Sequence, residues 1–292
     1  MNRLVITADD FGLAREVNEA VDSAHRRGVL SAASLMVGAP AAADAVHRAR
    51  ALPNLGVGLH LVLVDGISTL PPDEIPALTD QRTGRFRSDL GRLAIEISYR
   101  SSLRGQIRRE IEAQFRKFQA TGLPLDHVTV HKHYHLHPII GAMIIEIGQK
   151  FGMKYLRVPK EPSGLIATLE NGRADIDFLK LWVALLRIQA SRAGIIGPDK
   201  VFGLKWSGAL TPERLIRLLE NLPSGFIEIY AHPAVTNAFC GSTRGYRYTD
   251  ELVALLSPAV QEALQRSQFR LGPYTNDAGA NPSRPLRPEP IH

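Results

Sequence analysis

Cysteine is almost absent from this chain: Cys240 is the only one in 292 residues. An intramolecular disulfide and a multi-cysteine zinc site are therefore excluded, and a reducing compartment is expected. Long hydrophobic runs are also missing. None approaches the roughly 20 apolar residues that cross a bilayer. The apolar run at the amino terminus ends in Asp9-Asp10 and is too short for the core of an export signal. A cytoplasmic protein is expected, soluble or peripheral at the inner face of the membrane. Neither sign of charge dominates, since 35 basic against 29 acidic residues give a formal net charge of only +6. Such a bias reads as a solvated basic surface. The basic helix carrying Arg104, Arg108, Arg109, Arg116 and Lys117 has few aromatic residues between its charges and no nucleic-acid motif, so no nucleic-acid partner is expected.

A chain 45% hydrophobic and 22% charged can bury a large core. Short β-rich runs alternate with helical patterns. Strands are predicted over 4–7, 34–37, 56–64, 126–130, 155–158, 226–230 and 269–271. Helices are predicted over 15–26, 40–52, 106–119, 139–150, 212–220 and 250–266. This order predicts an α/β fold with a parallel sheet, closed as a TIM-like (β/α) barrel with some distortion, in one domain over 1–274. The Pro-rich stretch 275–292 reads as a flexible tail. The barrel is preferred to an open doubly wound sheet because the polar clusters fall at the carboxyl ends of predicted strands.

Asp9 and Asp10 close the first strand and precede Phe11-Gly12, where a turn would bring both carboxylates to one pocket. Capping of the following helix is the competing reading. His60 ends the apolar run Gly58-Leu59-His60-Leu61. The segment from Asp126 to Pro138 then places His127, His131, His133, His135 and His137, half of the chain's 10 histidines, around one strand end. Packing alone does not account for that density. In an extended segment the alternate spacing of His131, His133 and His135 would put three imidazoles on one side, able to bind a metal, sugar hydroxyls or an oxyanion. Tyr230-Ala231-His232-Pro233 adds a histidine after another strand.

These motifs resemble the YdjC-like carbohydrate deacetylases. Thr7-Ala8-Asp9-Asp10-Phe11-Gly12 is similar to that family's opening motif, and Gly58-Leu59-His60, His131-Lys132-His133-Tyr134-His135 and His232-Pro233 resemble its later ones in the same order. The likeness runs from Met1 to Tyr274. Within the family it is strongest to the hopanoid-biosynthesis-associated branch, through Ala33 to Pro40, Leu59 to Val64 and His127 to Pro138. The resemblance implies a divalent cation held by Asp10, His60 and His131, with Asp9 as general base and His232 as general acid. The cation it implies is Mg2+, although two imidazoles and a carboxylate suit Zn2+ by ligand softness. By their positions His133 and His135 are candidate substrate contacts, and Arg157, toward the end of a predicted strand, anchors the sugar or tunes Asp9, a surface salt bridge being the competing reading. One position departs from the pattern: Thr129 stands where many relatives carry an Asp two residues before the ligand histidine, so the group orienting His131 changes.

The function expected is removal of an N-acetyl group from an amino sugar, such as acetylglucosamine linked to a hopanoid lipid. Amide hydrolysis needs a strong nucleophile at neutral pH, a base within reach of it and an acid for the departing amine. The competing readings are a metal-dependent hydrolase of another bond, a phosphodiester or a different amide, and a non-catalytic lipid-binding protein. A glycosidase would need carboxylates flanking the scissile bond about 5 Å or more apart, which adjacent residues do not supply. The apolar stretch 178–188 carries Lys180, Ala184, Arg187 and Ser191 as one narrow stripe at helical spacing. Such a helix either contacts a membrane interface or a lipid, with Trp182 at the boundary, or packs in the core or against a second copy in a homo-oligomer.

Overall fold

The structure is a computed structural model and describes residues 2–173 and 179–275. Of the tail predicted over 275–292 only Thr275 is described, and its amide and hydroxyl donate to Asp126; residues 276–292, and Phe178 at the start of the apolar stretch, lie outside the described residues. Among the described residues seven parallel strands form one sheet: β1 (Arg3–Phe11), β2 (Ala32–Leu35), β3 (Gly56–Leu61), β4 (Val128–Val130), β5 (Lys200–Phe202), β6 (Phe226–Ala231) and β7 (Arg270–Leu271). Their order is β4-β3-β2-β1-β6-β5, and β7 joins β1 at Arg3 and Leu4. Isolated parallel bridges, Val128 to Leu156 and Tyr155 to Ile196, continue the wall beyond β4. The result is a single-domain α/β fold, a distorted TIM-like barrel with one thin side. The expected strand over 155–158 contributes only those bridges.

The helices are α1 (Arg15–Arg27), α2 (Ala42–Arg50), α3 (Leu90–Tyr99), α4 (Ser101–Gln119), α5 (Pro138–Lys150), α6 (Ser163–Leu169), α7 (Lys180–Arg192), α8 (Pro212–Glu220), α9 (Tyr248–Leu256) and α10 (Pro258–Arg266). They cover the sheet because each turns an apolar stripe toward it: Val17, Val21 and Ala24 from α1, for example, and Ile107, Ile111, Phe115 and Phe118 from α4. The central strands are buried along almost their whole length, as strands covered on both faces must be. The helix expected over 250–266 is broken in two. Pro258 lacks an amide hydrogen and pushes Ser257 into the extended region, φ −61° and ψ 125°.

The amino-terminal end of the barrel is closed by the segment after β7. Tyr274 is fully buried and its ring stacks on His127 at 4.4 Å. Beneath it lies a Ser–His–Asp array: the Ser34 hydroxyl donates to His127 Nε2 at 3.0 Å, and His127 Nδ1 donates to Asp126 at 2.8 Å. The array looks like that of a serine hydrolase, but Ser34 has no exposed surface, so it serves to tie strand ends together. Gly58 is required opposite it, because a Cβ there would lie 2.5 Å from the His127 ring. A cavity of about 810 Å³ also opens at this end and contains none of the motif residues except Asp126.

Candidate active site

Asp9 and Asp10 reach one pocket through a bulge in β1. Pairing with β2 slips between Ala8 and Phe11, and Asp10 takes a left-handed conformation, φ 62°. Neither acid caps a helix, since Ala14 precedes α1 without a side-chain cap. Gly12, at φ 93°, completes the turn, and its amide donates to Asn18 at 2.8 Å. The remaining motif residues arrive from neighbouring strand ends: His60 from β3, His131 just past β4, His232 just past β6.

Asp10 Oδ1, His60 Nε2 and His131 Nδ1 form a triangle. Its edges are 3.3 Å from Asp10 to His60, 3.4 Å from Asp10 to His131 and 3.4 Å between the imidazoles. Asp10 Oδ1 is buried and has no hydrogen-bond partner, the condition of an atom that expects a cation. Four-coordinate zinc with bonds of about 2.0–2.1 Å spaces its ligands about 3.3 Å apart, whereas octahedral magnesium at about 2.0–2.1 Å spaces them about 3.0 Å apart. The three residues thus fit a divalent metal. Burial lowers the His60 pKa, against the pull of Asp9 and Asp10, and keeps its imidazole in the neutral form that ligates. Burial pushes the Asp10 carboxyl up, but the adjacent His131 and His60 outweigh it and hold the group well below the usual carboxylate range.

Thr129 proves to orient His60. With Nε2 in the triangle, Nδ1 of His60 donates to Thr129 Oγ1 at 2.7 Å across the β3–β4 pair. The expected loss of an orienting group at His131 is therefore matched by a hydroxyl on its neighbour.

Asp9 stands beside the triangle in the grip of Arg157, whose Nη1 and Nη2 donate to its two oxygens at 2.5 and 3.0 Å. Burial raises the Asp9 pKa, yet Arg157 and His60 more than offset it, and the carboxyl is held well below its usual range. Arg157 is itself fully buried, so its ion pair with Asp9 is not the surface salt bridge that competed with its expected roles. Its other face is held by Glu228, and its guanidinium lies 4.3 Å from the centre of the Tyr230 ring.

The expected row of three imidazoles on one side is not formed. Residues His131–Leu136 make a tight 3₁₀ turn in which Lys132 and His133 take left-handed angles, and the rings diverge. His133 Nε2 shares a hydrogen bond with the Tyr230 hydroxyl at 3.1 Å, while its buried Nδ1 has no partner. His135 is fully buried and donates to the Arg157 carbonyl at 2.8 Å; burial lowers its pKa to about 4. It supports the backbone of Arg157. His137 donates to Ala94 O at 3.1 Å and anchors α3.

His232 approaches from the opposite side. Its backbone amide donates to Glu251 of α9, and its Nδ1 lies 4.0 Å from the same carboxylate. It is near enough to act electrostatically on both Asp9 and Asp10. A cleft of about 230 Å³ opens over Asp10 and His131, with Leu13, Met36, Val62 and Ile67 among its apolar walls. Sequence reasoning missed the residues that hold those walls. Glu110 on α4 accepts from the amides of Thr69 and Leu70 at 2.8 and 3.0 Å, and Gln114 bonds both backbone groups of Val62.

A parallel barrel with a buried carboxylate and two imidazoles gathered at its strand ends defines the class, a barrel protein with a candidate metal site. The particular family follows from comparison: the chain belongs to the YdjC-like protein family, whose model matches residues 3–266. A carbohydrate deacetylase of Brevibacillus brevis is 30% identical over 272 residues, covering 92% of this chain and 97% of that protein. A chitooligosaccharide deacetylase of Proteus mirabilis is 27% identical over 277 residues, covering 93% and 97%. Among solved structures, a protein of Enterococcus faecalis V583 described as a candidate cellobiose-phosphate cleavage protein superposes with a TM-score of 0.72 at 24% identity, covering 94% of this chain and 98% of that one. That likeness establishes the fold.

Proposed function

We propose that the protein is a metal-dependent deacetylase that hydrolyses the N-acetyl group of an amino sugar to acetate and a free amine. The observation that carries this reading is the Asp10–His60–His131 triangle with Asp9 fixed beside it, in a chain whose curated relatives are named carbohydrate and chitooligosaccharide deacetylases. A divalent cation there would supply Lewis acidity, polarising an amide carbonyl and acidifying a water. Asp9 takes the proton from the attacking water, and Arg157 keeps its carboxylate ionised and aimed. The unpartnered Nδ1 of His133 is available to a substrate hydroxyl or carbonyl. His232, across the pocket, protonates the departing nitrogen. The test is metal analysis of the purified protein together with acetate release from chitooligosaccharides. One equivalent of a divalent metal with acetate release supports the reading, and turnover of a phosphodiester without acetate release overturns it. Zinc is the cation favoured by the spacing of the triangle, and magnesium the one implied by the family resemblance; the same metal analysis decides between them.

His232→Ala is expected to retain the metal and lose about 10²- to 10⁴-fold in kcat on an amide substrate, the range for one general acid. An activated acetyl ester, whose leaving group needs no proton, should lose far less. Equal losses on both substrates would assign His232 to positioning instead.

A lipid-linked substrate, the hopanoid-bound acetylglucosamine of the branch resemblance, is supported by α7. Among the described residues no helix is long and apolar enough to cross a membrane. Yet α7 buries Val183, Leu186 and Ala190 and exposes Leu181 (72%), Trp182 and Ile188 on the other side, with Lys180 and Arg187 along the flank. An outward apolar stripe bordered by cations suits an anionic bilayer surface. Trp182→Ser and Leu181→Ser should keep activity on a soluble chitooligosaccharide and lose roughly tenfold or more on the lipid-linked sugar in anionic vesicles, since each side chain would bury apolar surface worth about 1.5–3 kcal/mol. Equal activity on both substrates would leave α7 no role in lipid contact. Arg104, Arg108, Arg109 and Arg116 of α4 each reach an acceptor within the chain, Arg108 holding Glu146 through two contacts of 2.8 Å.

A further inference from the structure

Glu228 lies in the middle of β6 with no exposed surface. It is a charged residue in an otherwise apolar run, and each of its oxygens is occupied. Oε1 accepts from Arg157 Nη2 at 2.6 Å and from the Thr7 hydroxyl at 2.8 Å, and Oε2 accepts from Arg157 Nε at 2.9 Å. Arg157 thus spans two carboxylates, using Nε and Nη2 on Glu228 and Nη1 and Nη2 on Asp9. Thr7 precedes Asp9 by two residues on β1, and Tyr230, whose ring the guanidinium overlies, follows Glu228 by two on β6. The two strands pair in register at Val5 and Glu228 and at Thr7 and Tyr230. The guanidinium is therefore clamped by groups on both strands.

The charges are informative. Asp9, Arg157 and Glu228 together carry −1, Asp10 carries another −1, and a divalent cation in the triangle brings the buried site to zero. Burying an ionised group is costly unless its charge is matched. Asp9 alone would suffice to neutralise Arg157. A second carboxylate held by a hydroxyl is more than neutralisation needs, and it fixes the plane of the guanidinium.

We propose that Glu228 is a positioning residue of the reaction: by clamping Arg157 it sets the orientation in which Asp9 faces the triangle. This rests on the deacetylase reading for its kinetic test. Glu228→Gln is expected to lower kcat about 10- to 100-fold, as loss of a supporting partner typically does, with KM and metal content unchanged. In an Arg157→Met background the same substitution should add nothing further to the kcat loss, because its route of action is gone. That double variant carries the wild-type charge of −1 on the trio, so its Tm should recover relative to Arg157→Met while kcat does not. Thr7→Val, which removes only the supporting hydroxyl, should shift kcat in the same direction by a smaller factor and remains informative if Arg157→Met does not fold. Independently of any activity, a crystal structure of Glu228→Gln should show the guanidinium rotated and Asp9 displaced. A Glu228→Gln variant with wild-type kcat, a kcat loss that adds to that of Arg157→Met, or an Asp9 superposable on the wild type would each overturn the proposal. Absence of acetate release by the wild type would overturn the deacetylase reading, and the crystallographic comparison would still decide the role of Glu228.

Discussion

Asp9→Asn is expected to keep its metal and lose turnover, by about 10²- to 10⁴-fold if removal of a general base is the whole effect. The separation of the two outcomes follows from the geometry. Asp9 contributes no atom to the triangle of Asp10, His60 and His131, so metal content should stay at the wild-type level. The fold should also survive, because Arg157 retains Glu228 as a charge partner and the Asn carbonyl can still accept one of its hydrogens. Asp10→Asn should behave in the opposite way, with metal and turnover lost together. The measurements are metal content by mass spectrometry and kcat for acetate release on the same preparations. If Asp9→Asn empties the site and Asp10→Asn leaves it filled, the two roles are exchanged.

Much of this site is legible in the sequence because a parallel barrel gathers its chemistry at strand ends, and strand ends can be read from where apolar runs stop. Asp9, Asp10, His60, His131 and His232 all stand at such stops, and the structure brings them together. The turn expected at Phe11-Gly12 is legible as well, and it takes the form of a bulge in β1 with a left-handed Asp10, which brings the carboxylates to one side. What the sequence conceals is the direction of the histidines. A two-residue period places His131, His133 and His135 in a row, but a 3₁₀ turn distributes them to the triangle with Asp10 and His60, a tyrosine and a backbone carbonyl.

Two further features have a signal in the sequence. The Pro258 break is visible in the sequence, since proline removes a helical hydrogen bond and restricts the residue before it. Glu228 also carried a signal, because an acid inside Phe226-Ile227-Glu228-Ile229-Tyr230 must be buried if the run is a central parallel strand, and a buried acid needs a cation. Arg157 was the cation. By contrast, β5 is a three-residue strand whose existence depends on tertiary packing that no local periodicity encodes.

Metal affinity should fall in a graded series: slightly in no variant, strongly in two and by an intermediate step in a third. His131→Ala removes a ligand whose side chain is 19% exposed, so little packing is lost and the variant should stay folded. His60→Ala removes a buried ligand and also strips Thr129 Oγ1 of its partner, which adds about 1–3 kcal/mol for a buried polar group left unsatisfied. Both should lose stoichiometric metal and acetate release. The lower Tm of His60→Ala and the near-normal Tm of His131→Ala then separate ligand loss from damage to the fold. Thr129→Val supplies the intermediate step: all three ligands remain, but Nδ1 of His60 loses the acceptor that fixes its ring and its tautomer, and affinity should weaken about 10- to 100-fold. Calorimetric titration of the metal-stripped proteins with zinc and with magnesium reads all three. A His131→Ala protein that still binds one equivalent with wild-type affinity would remove that histidine from the site. A Thr129→Val protein with unchanged affinity would mean that the packing of β3 against β4 alone holds His60 in place.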